Sequence, residues 1–489
     1  MKKIFGIINL IIIVMLLFSC SPKPTGTADM NTPENGGSEI TASTDSDSVN
    51  TAEVSSNLEP KDMNGKKFTV LTQGWGYQPM DVTDIVADEI TGEPINDAAY
   101  NRQIYLEDKY NITIEANDKG PDALKKAVKA NDDVYDFCIL RTVSFTSMVT
   151  NKYLVDLSDI PVINLSQPYW DSKSYDALSL LGKHYGINCD ISKTWATTVW
   201  TVFFNKDMIK DNGLENPYKL VEEGKWTLDK MFEMGRVVAK DLNGDGKMDE
   251  KDLWGITYSD DSSVGMLNCM GVNFGEIDSN GYPVFTLDRE DNIDKVMSLY
   301  TRLYDRSYCV NTHAPGLKLT NLGDVEMFID GRTLFDLCGT YLIDLLRVME
   351  QDCGILPYPK YDEMQKEYMS SVSPLFFTFT AVPVTNNDLE NTGIIMEDMA
   401  CEGYKKIKPE FYESLLLRKI ARDDESAEML GYIFDNIVYD SGGFLNLGGF
   451  SWDFAIKVPH NYDLNIVSFI EKYQGKIQKD IDAIVEALR

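Results

Sequence analysis

The chain has 489 residues, 43% of them hydrophobic, 11% aromatic and 25% charged, a globular composition with room for two or three domains. Its formal net charge is −31. Such an excess of carboxylates repels phosphate backbones and anionic headgroups, which argues against nucleic acid as a partner and for solubility outside the cell.

The chain opens with a basic pair, Lys2 and Lys3, and an apolar run from Ile4 to Phe18. That run falls short of the roughly 20 residues needed to cross a bilayer comfortably, and reads as an export signal. It ends in Leu17-Phe18-Ser19-Cys20, which resembles a bacterial lipobox. The resemblance implies cleavage before Cys20, acylation of its thiol and a membrane anchor. Residues 21–60 are rich in Ser, Thr, Asp, Glu, Gly and Pro and hold no aromatic residue, the composition of a disordered tether.

The ordered part is expected from Lys66-Lys67-Phe68-Thr69-Val70-Leu71-Thr72, a β-rich run. A helix follows over 96–110, a strand over 112–114, a helix over 122–131 and a strand over 135–140. Short apolar strands alternating with helices predict a parallel sheet covered on both faces. The C-terminal half reads as more helical, with runs near 389–404, 408–420, 424–438 and 464–488. Seven further cysteines (Cys138, Cys189, Cys269, Cys309, Cys338, Cys353 and Cys401) are odd in number and form no C-x-x-C pair. They read as mostly buried free thiols.

The sharpest local motif is the twelve-residue run from Asp241 to Asp252. Asp241, Asn243, Asp245, Asp249 and Asp252 put oxygen donors at positions 1, 3, 5, 9 and 12. Lys247 offers its carbonyl at position 7, and Gly246 supplies the sharp turn at position 6. This is the EF-hand pattern for Ca²⁺, a hard cation that takes six or more oxygens. Asp252 replaces the usual Glu, and Thr227 to Lys240 reads as the entering helix with Thr227 as its N-cap. Calcium is expected here in a structural role.

Several phrases, in order, resemble the extracellular solute-binding proteins of ABC sugar importers, the maltose-binding-like group. They are Asn151-Lys152-Tyr153-Leu154-Val155-Asp156-Leu157-Ser158, Gly182-Lys183-His184-Tyr185-Gly186-Ile187 (similar to a strand crossing between lobes), and Val199 to Asp207. The second half continues with Asp330 to Phe335 leading into Gly339-Thr340-Tyr341, then Cys353 to Pro359, then Ala381-Val382-Pro383-Val384, similar to the return crossing. The resemblance implies an α/β type II periplasmic-binding-protein-like fold of two lobes joined by hinge crossings. On that reading residues 1–19 are the lipoprotein signal peptide and 20–60 the tether. Lobe 1 comprises 65–185 plus 376–440, and lobe 2 comprises 190–375 plus 441–489. It further implies no enzymatic activity, a carbohydrate ligand held between the lobes, an ABC importer permease as partner and an extracytoplasmic location.

Sugar rings present apolar faces flanked by hydroxyls, so aromatic platforms beside polar groups are the expected ligand contacts. Trp75 and Tyr77 follow the first strand, and Arg141 follows the third, at the edge where open α/β sheets bind ligands. The resemblance adds Asp190 and Trp195 after the first crossing, Tyr341 in the second lobe and Trp452 near the C-terminus. Each aromatic has core packing as its plain alternative, and Arg141 and Asp190 a surface or salt-bridge role. The three histidines, His184, His313 and His460, lie far apart in sequence, and no G-x-S-x-G, H-E-x-x-H or Walker loop occurs. The alternatives are a secreted carbohydrate-active hydrolase or a calcium-dependent surface scaffold.

Overall fold

The computed structural model describes residues 54–74, 81–320, 322–416 and 424–489. Asn64 and Gly65, both with positive φ, turn the chain into the first strand, β1 (Lys66–Thr72). A helix over Pro94–Tyr110 follows. Pro94 opens it, where the missing N–H costs nothing, and Glu93 caps it by accepting the Asn96 N–H. Asn111 ends it in the left-handed conformation and leads directly into β2 (Ile112–Asp118). The helix Gly120–Ala130 ends the same way, at Asn131, before β3 (Phe137–Arg141).

These three strands are parallel, and β12 (Thr378–Ala381) adds to them antiparallel, in the order β12-β3-β1-β2. Both faces are apolar. Phe68, Val70, Phe137 and Ile139 enter one core cluster, while Leu71, Cys138 and Leu140 enter the other. That alternation is what a sheet covered by helices on both sides requires.

The second sheet has the order β10-β4-β9-β5-β8. Its strands are β4 (Trp200–Asn205), β5 (Trp254–Tyr258), β8 (Cys309–Asn311), β9 (Thr333–Gly339) and β10 (Cys353–Leu356). Two small pairs complete the strands: the hairpin of β6 (Gly275–Ile277) and β7 (Pro283–Phe285), and the parallel pair of β11 (Ser370–Ser371) and β13 (Ile437–Val438). The architecture is therefore the mixed α/β arrangement of two sheets that the resemblance implied.

The described segments that pass between the sheets lie side by side. Val199 bridges Val372, and β11 pairs with β13. Two of these passages differ from expectation. Residues 182–187 stay with the first sheet, since Ile187 bridges Thr380, and the chain crosses only beyond Asp190. Ala381 lies within β12, so the return passage precedes it, over 370–377.

The helices expected at 389–404 and 408–420 are one helix, Leu389–Leu416, with Pro409 inside it. Residues 417–420 lie outside the described set. Pro409 costs that helix a hydrogen bond, but Ile407 and Phe411 on either side are buried, and packing carries the helix through. Residues 54–63, partly read as tether, lie along it. The Ser56 hydroxyl donates to Asp398 at 2.6 Å, and Lys61 meets Glu390 at 3.0 Å. All seven described cysteines are buried, and none of them forms a disulfide. Burial pushes the Cys138 and Cys189 thiols up to about 12, which leaves them unreactive.

Candidate functional site

The C-terminal edges of the two sheets are joined by a run of hydrogen bonds. Arg141 ends β3 and pairs with Thr378, and its backbone N–H donates to the Gln73 side chain at 3.1 Å. In the turn that follows, the Thr142 N–H donates to the Phe377 carbonyl at 3.0 Å and its hydroxyl to the Pro374 carbonyl at 3.1 Å. The hydroxyls of Thr378 and Thr194 stand 2.7 Å apart. Thr194 opens a one-turn helix, Thr194–Thr197, in the first passage. From the second sheet, the Thr340 hydroxyl donates to the Ala196 carbonyl at 2.5 Å. The Ser373 N–H donates to the Thr198 carbonyl at 2.9 Å, and the Ser373 hydroxyl reaches Asp261, just beyond β5, at 3.4 Å.

Charge on this edge is sequestered. Burial pushes the Asp261 carboxyl up to about 6 against the opposing pull of His313. Burial also lowers the Arg141 guanidinium to about 10, opposed by Asp81. Both groups sit where a polar ligand would find partly desolvated hydrogen-bond partners, which is how pockets fix orientation.

Three of the sequence-predicted residues belong to this network or adjoin it. Arg141 is paired with Thr378, Trp195 lies in the Thr194–Thr197 helix, and Tyr341 follows Thr340. The Tyr341 ring lies against Gly339, where an added Cβ would stand only 2.4 Å from it, and edge-on to Phe376 at 6.5 Å. Trp195 and Asp190 come together, but with each other. Lys408 links them, reaching the Asp190 carboxylate at 3.3 Å while standing 5.0 Å over the Trp195 ring. The cavity they share with Phe411 measures about 10 Å³, room for hardly more than a water.

Trp452 lies outside the network, half-buried near the start of the helix Phe450–His460, with its N–H on the Asn446 side chain at 3.1 Å. Trp75, Tyr77 and Cys20 lie outside the described residues. Sequence reasoning missed Asp260, Asp261, Thr340, Ser373 and Phe376. The signal for the acidic pair was the polar run Ser259 to Ser263 directly after a fully buried strand. A larger groove of about 500 Å³ lies beside β13, lined by Lys173, Asp176, Ile277, Tyr368 and Tyr439 among others. None of the described sequence-predicted residues lines it.

The acidic loop is bent as its sequence demands. Thr227 caps the entering helix, Leu228–Val238, and Gly244 and Gly246 take φ of 70° and 78°. Asp241 accepts the N–H groups of Gly244 and Gly246 at 2.7 and 2.8 Å, which holds its carboxyl below the usual range. Asn243 accepts the Asp245 N–H and Asp245 the Lys247 N–H. The buried Asp252 turns inward and accepts the N–H groups of Leu242 and Asp249 at 2.9 and 2.8 Å. Donor types and glycine positions fit a hard oxygen-seeking cation. The carboxylates are nonetheless engaged by backbone, and among the described residues no three His, Cys, Asp or Glu side chains converge as metal ligands do.

No family model matches the chain, and no curated protein matches it in sequence. Solved structures do match in fold, among them sugar-binding components of ABC transporters. The galacto-N-biose-/lacto-N-biose I-binding protein of Bifidobacterium longum, in complex with lacto-N-biose, superposes with a TM-score of 0.56 at 11% identity, covering 87% of this chain and 99% of its own. A solute-binding protein from Thermotoga lettingae bound to α-D-tagatose gives 0.54 at 13%, with coverage of 85% and 100%. The substrate-binding protein Lmo0181 of Listeria monocytogenes, in complex with cycloalternan, gives 0.52 at 14%, with coverage of 87% and 99%. What is shared at such identity is the fold, that of two-lobe ABC solute-binding proteins.

Proposed function

We propose that the chain is an extracytoplasmic solute-binding protein that closes its two sheet domains around a carbohydrate and hands it to an ABC importer. The observation that carries this reading is the joined pair of sheet edges. Thr142, Thr340 and Asp261, from different elements, are each hydrogen-bonded to the short passages between the sheets, in a fold shared with proteins solved with lacto-N-biose, tagatose and cycloalternan. Binding by closure needs no activated nucleophile, so the protein works without making or breaking a covalent bond. A lipid on Cys20 would hold it at the membrane, and the described residues contain no helix long and apolar enough to cross one. Calcium would be taken by the oxygens of Asp241, Asn243, Asp245, Asp249 and Asp252 with the Lys247 carbonyl, bracing the loop that joins the helix Leu228–Val238 to β5.

The test is a thermal-shift and calorimetric screen of residues 54–489 against mono- and oligosaccharides. Saturable binding of an intact sugar is the expected result. Hydrolysis of the bound glycan, or no response to any sugar, overturns the reading.

A further inference from the structure

Two of the three histidines in the chain reach one carboxylate. His460 Nδ1 lies 3.4 Å from Asp260 Oδ2, and His313 Nδ1 lies 3.7 Å from the same atom. The three residues come from separate elements. Asp260 follows β5, His313 follows β8, and His460 ends the helix Phe450–His460. Asp260 is 7% exposed at its side chain, against 31% and 37% for the imidazoles. Its other oxygen accepts the Asn311 amide at 2.6 Å. Among the described residues no lysine or arginine pairs with it, so the imidazoles are its cationic partners. Imidazole is the side chain whose charge changes between pH 5 and 8.

We infer that His313 and His460 form a proton-operated clip on Asp260, which fastens the end of the Phe450–His460 helix to the second sheet's edge in acid and releases it as pH rises. The groups facing the clip are named by the same geometry. Asp261 and Asp324 act electrostatically with His313, and the phenols of Tyr300, Tyr304 and Tyr462 with Asp260. Arg306 stands 5.6 Å over the Tyr462 ring, and Asp463 neighbours Tyr304. The surroundings of His313 are thus acidic. Asp261 is the next residue after Asp260 and touches Ser373 in the second passage, so the clip borders the edge where ligand is proposed to bind. This inference does not depend on that reading, because its test uses no ligand.

An imidazolium is attracted to a carboxylate and a neutral imidazole is not, so the clip's stabilisation is present in acid and fades as pH rises. The experiment compares wild type, His460→Gln and His313→Gln at pH 5.5 and 8.5. Each variant should melt at least about 2 °C below wild type at pH 5.5 and within about a degree of it at pH 8.5. Equal deficits at both pH values overturn the clip. Should a variant fail to fold, Asp260→Asn decides instead. Its melting temperature should fall less than that of wild type between pH 5.5 and 8.5, whereas a fall as large as that of wild type ends the proposal.

Discussion

Lys408 holds its ammonium 3.3 Å from the Asp190 carboxylate and 5.0 Å above the Trp195 ring, pinning the long helix Leu389–Leu416 to the first passage between the sheets. Asp190 is 7% exposed, and burial pushes its carboxyl up to about 6 even with Lys408 beside it.

Removing the ammonium therefore strands a buried charge. Lys408→Met should cost on the order of 3 kcal/mol in urea unfolding at pH 7.5. Because the Asp190 carboxyl is raised, the carboxylate form carries a penalty that is absent below about pH 4 and complete above about pH 6. The loss should shrink at pH 4.5, and Asp190→Asn combined with Lys408→Met should recover part of it. A loss that is the same at both pH values would show that only packing was removed.

The legibility of this pair explains where sequence reading stopped. The first three strands and their helices were readable because β1 and β3 send apolar residues to both faces, β2 alternates buried Ile112 and Ile114 with exposed Thr113 and Glu115, and each helix opens near a proline and ends at an asparagine. Whether Trp195 offers its ring to a sugar or packs it away depends on Lys408, which is 218 residues beyond Asp190 and invisible to any local pattern. Asp261 was obscured differently. In a chain with 77 acidic residues, one aspartate after a strand carries no signal until Ser373 is seen beside it. The merging of two expected helices across Pro409 has the same cause: local propensity placed a break where burial of Ile407 and Phe411 overrides it.

A buried carboxyl pair, Asp336 and Asp324, gives a pH signature of the same sign. Asp336 in β9 is fully buried. Its Oδ1 accepts the Thr257 hydroxyl at 2.7 Å, and its Oδ2 has no hydrogen-bond partner among the described residues. Burial and the neighbouring Asp324 carboxyl push it well above the usual carboxylate range. The folded state thus binds that proton more tightly than the unfolded one, and stability declines as pH rises from about 4. Asp336→Asn keeps an acceptor for Thr257 and removes the titration. Its melting temperature should exceed that of wild type at pH 8.5, with the gap closing near pH 4. A gap independent of pH would locate the effect in packing.

The loop proposed to take calcium separates stability from recognition. The loop closes through the Lys240 and Leu253 backbone pair, and its donors lie on the far side of β5 from Asp261, which follows that strand's other end. Chelation should lower the melting temperature while leaving sugar affinity within about twofold, and Asp241→Ala should make the protein insensitive to added calcium. Lost binding at unchanged stability would place the metal in the ligand site instead.

The sharpest test of the proposed site sets Tyr341 against Trp195. Tyr341 is half-buried at the joined edges, beside Phe376 and Gly339, so its ring is available for a sugar face once the sheets open. Trp195 is 8% exposed, covered by Lys408 and edge-on to Phe434 at 6.0 Å. Tyr341→Ala should therefore weaken sugar binding roughly tenfold or more, with little change in urea midpoint. Trp195→Ala should do the reverse at first sight, losing on the order of 3 kcal/mol of stability through the cavity it leaves. Calorimetry on the two variants at a temperature where both are folded separates the roles. Unchanged affinity in Tyr341→Ala would remove that ring from the site, and with it the strongest aromatic claim on the second sheet.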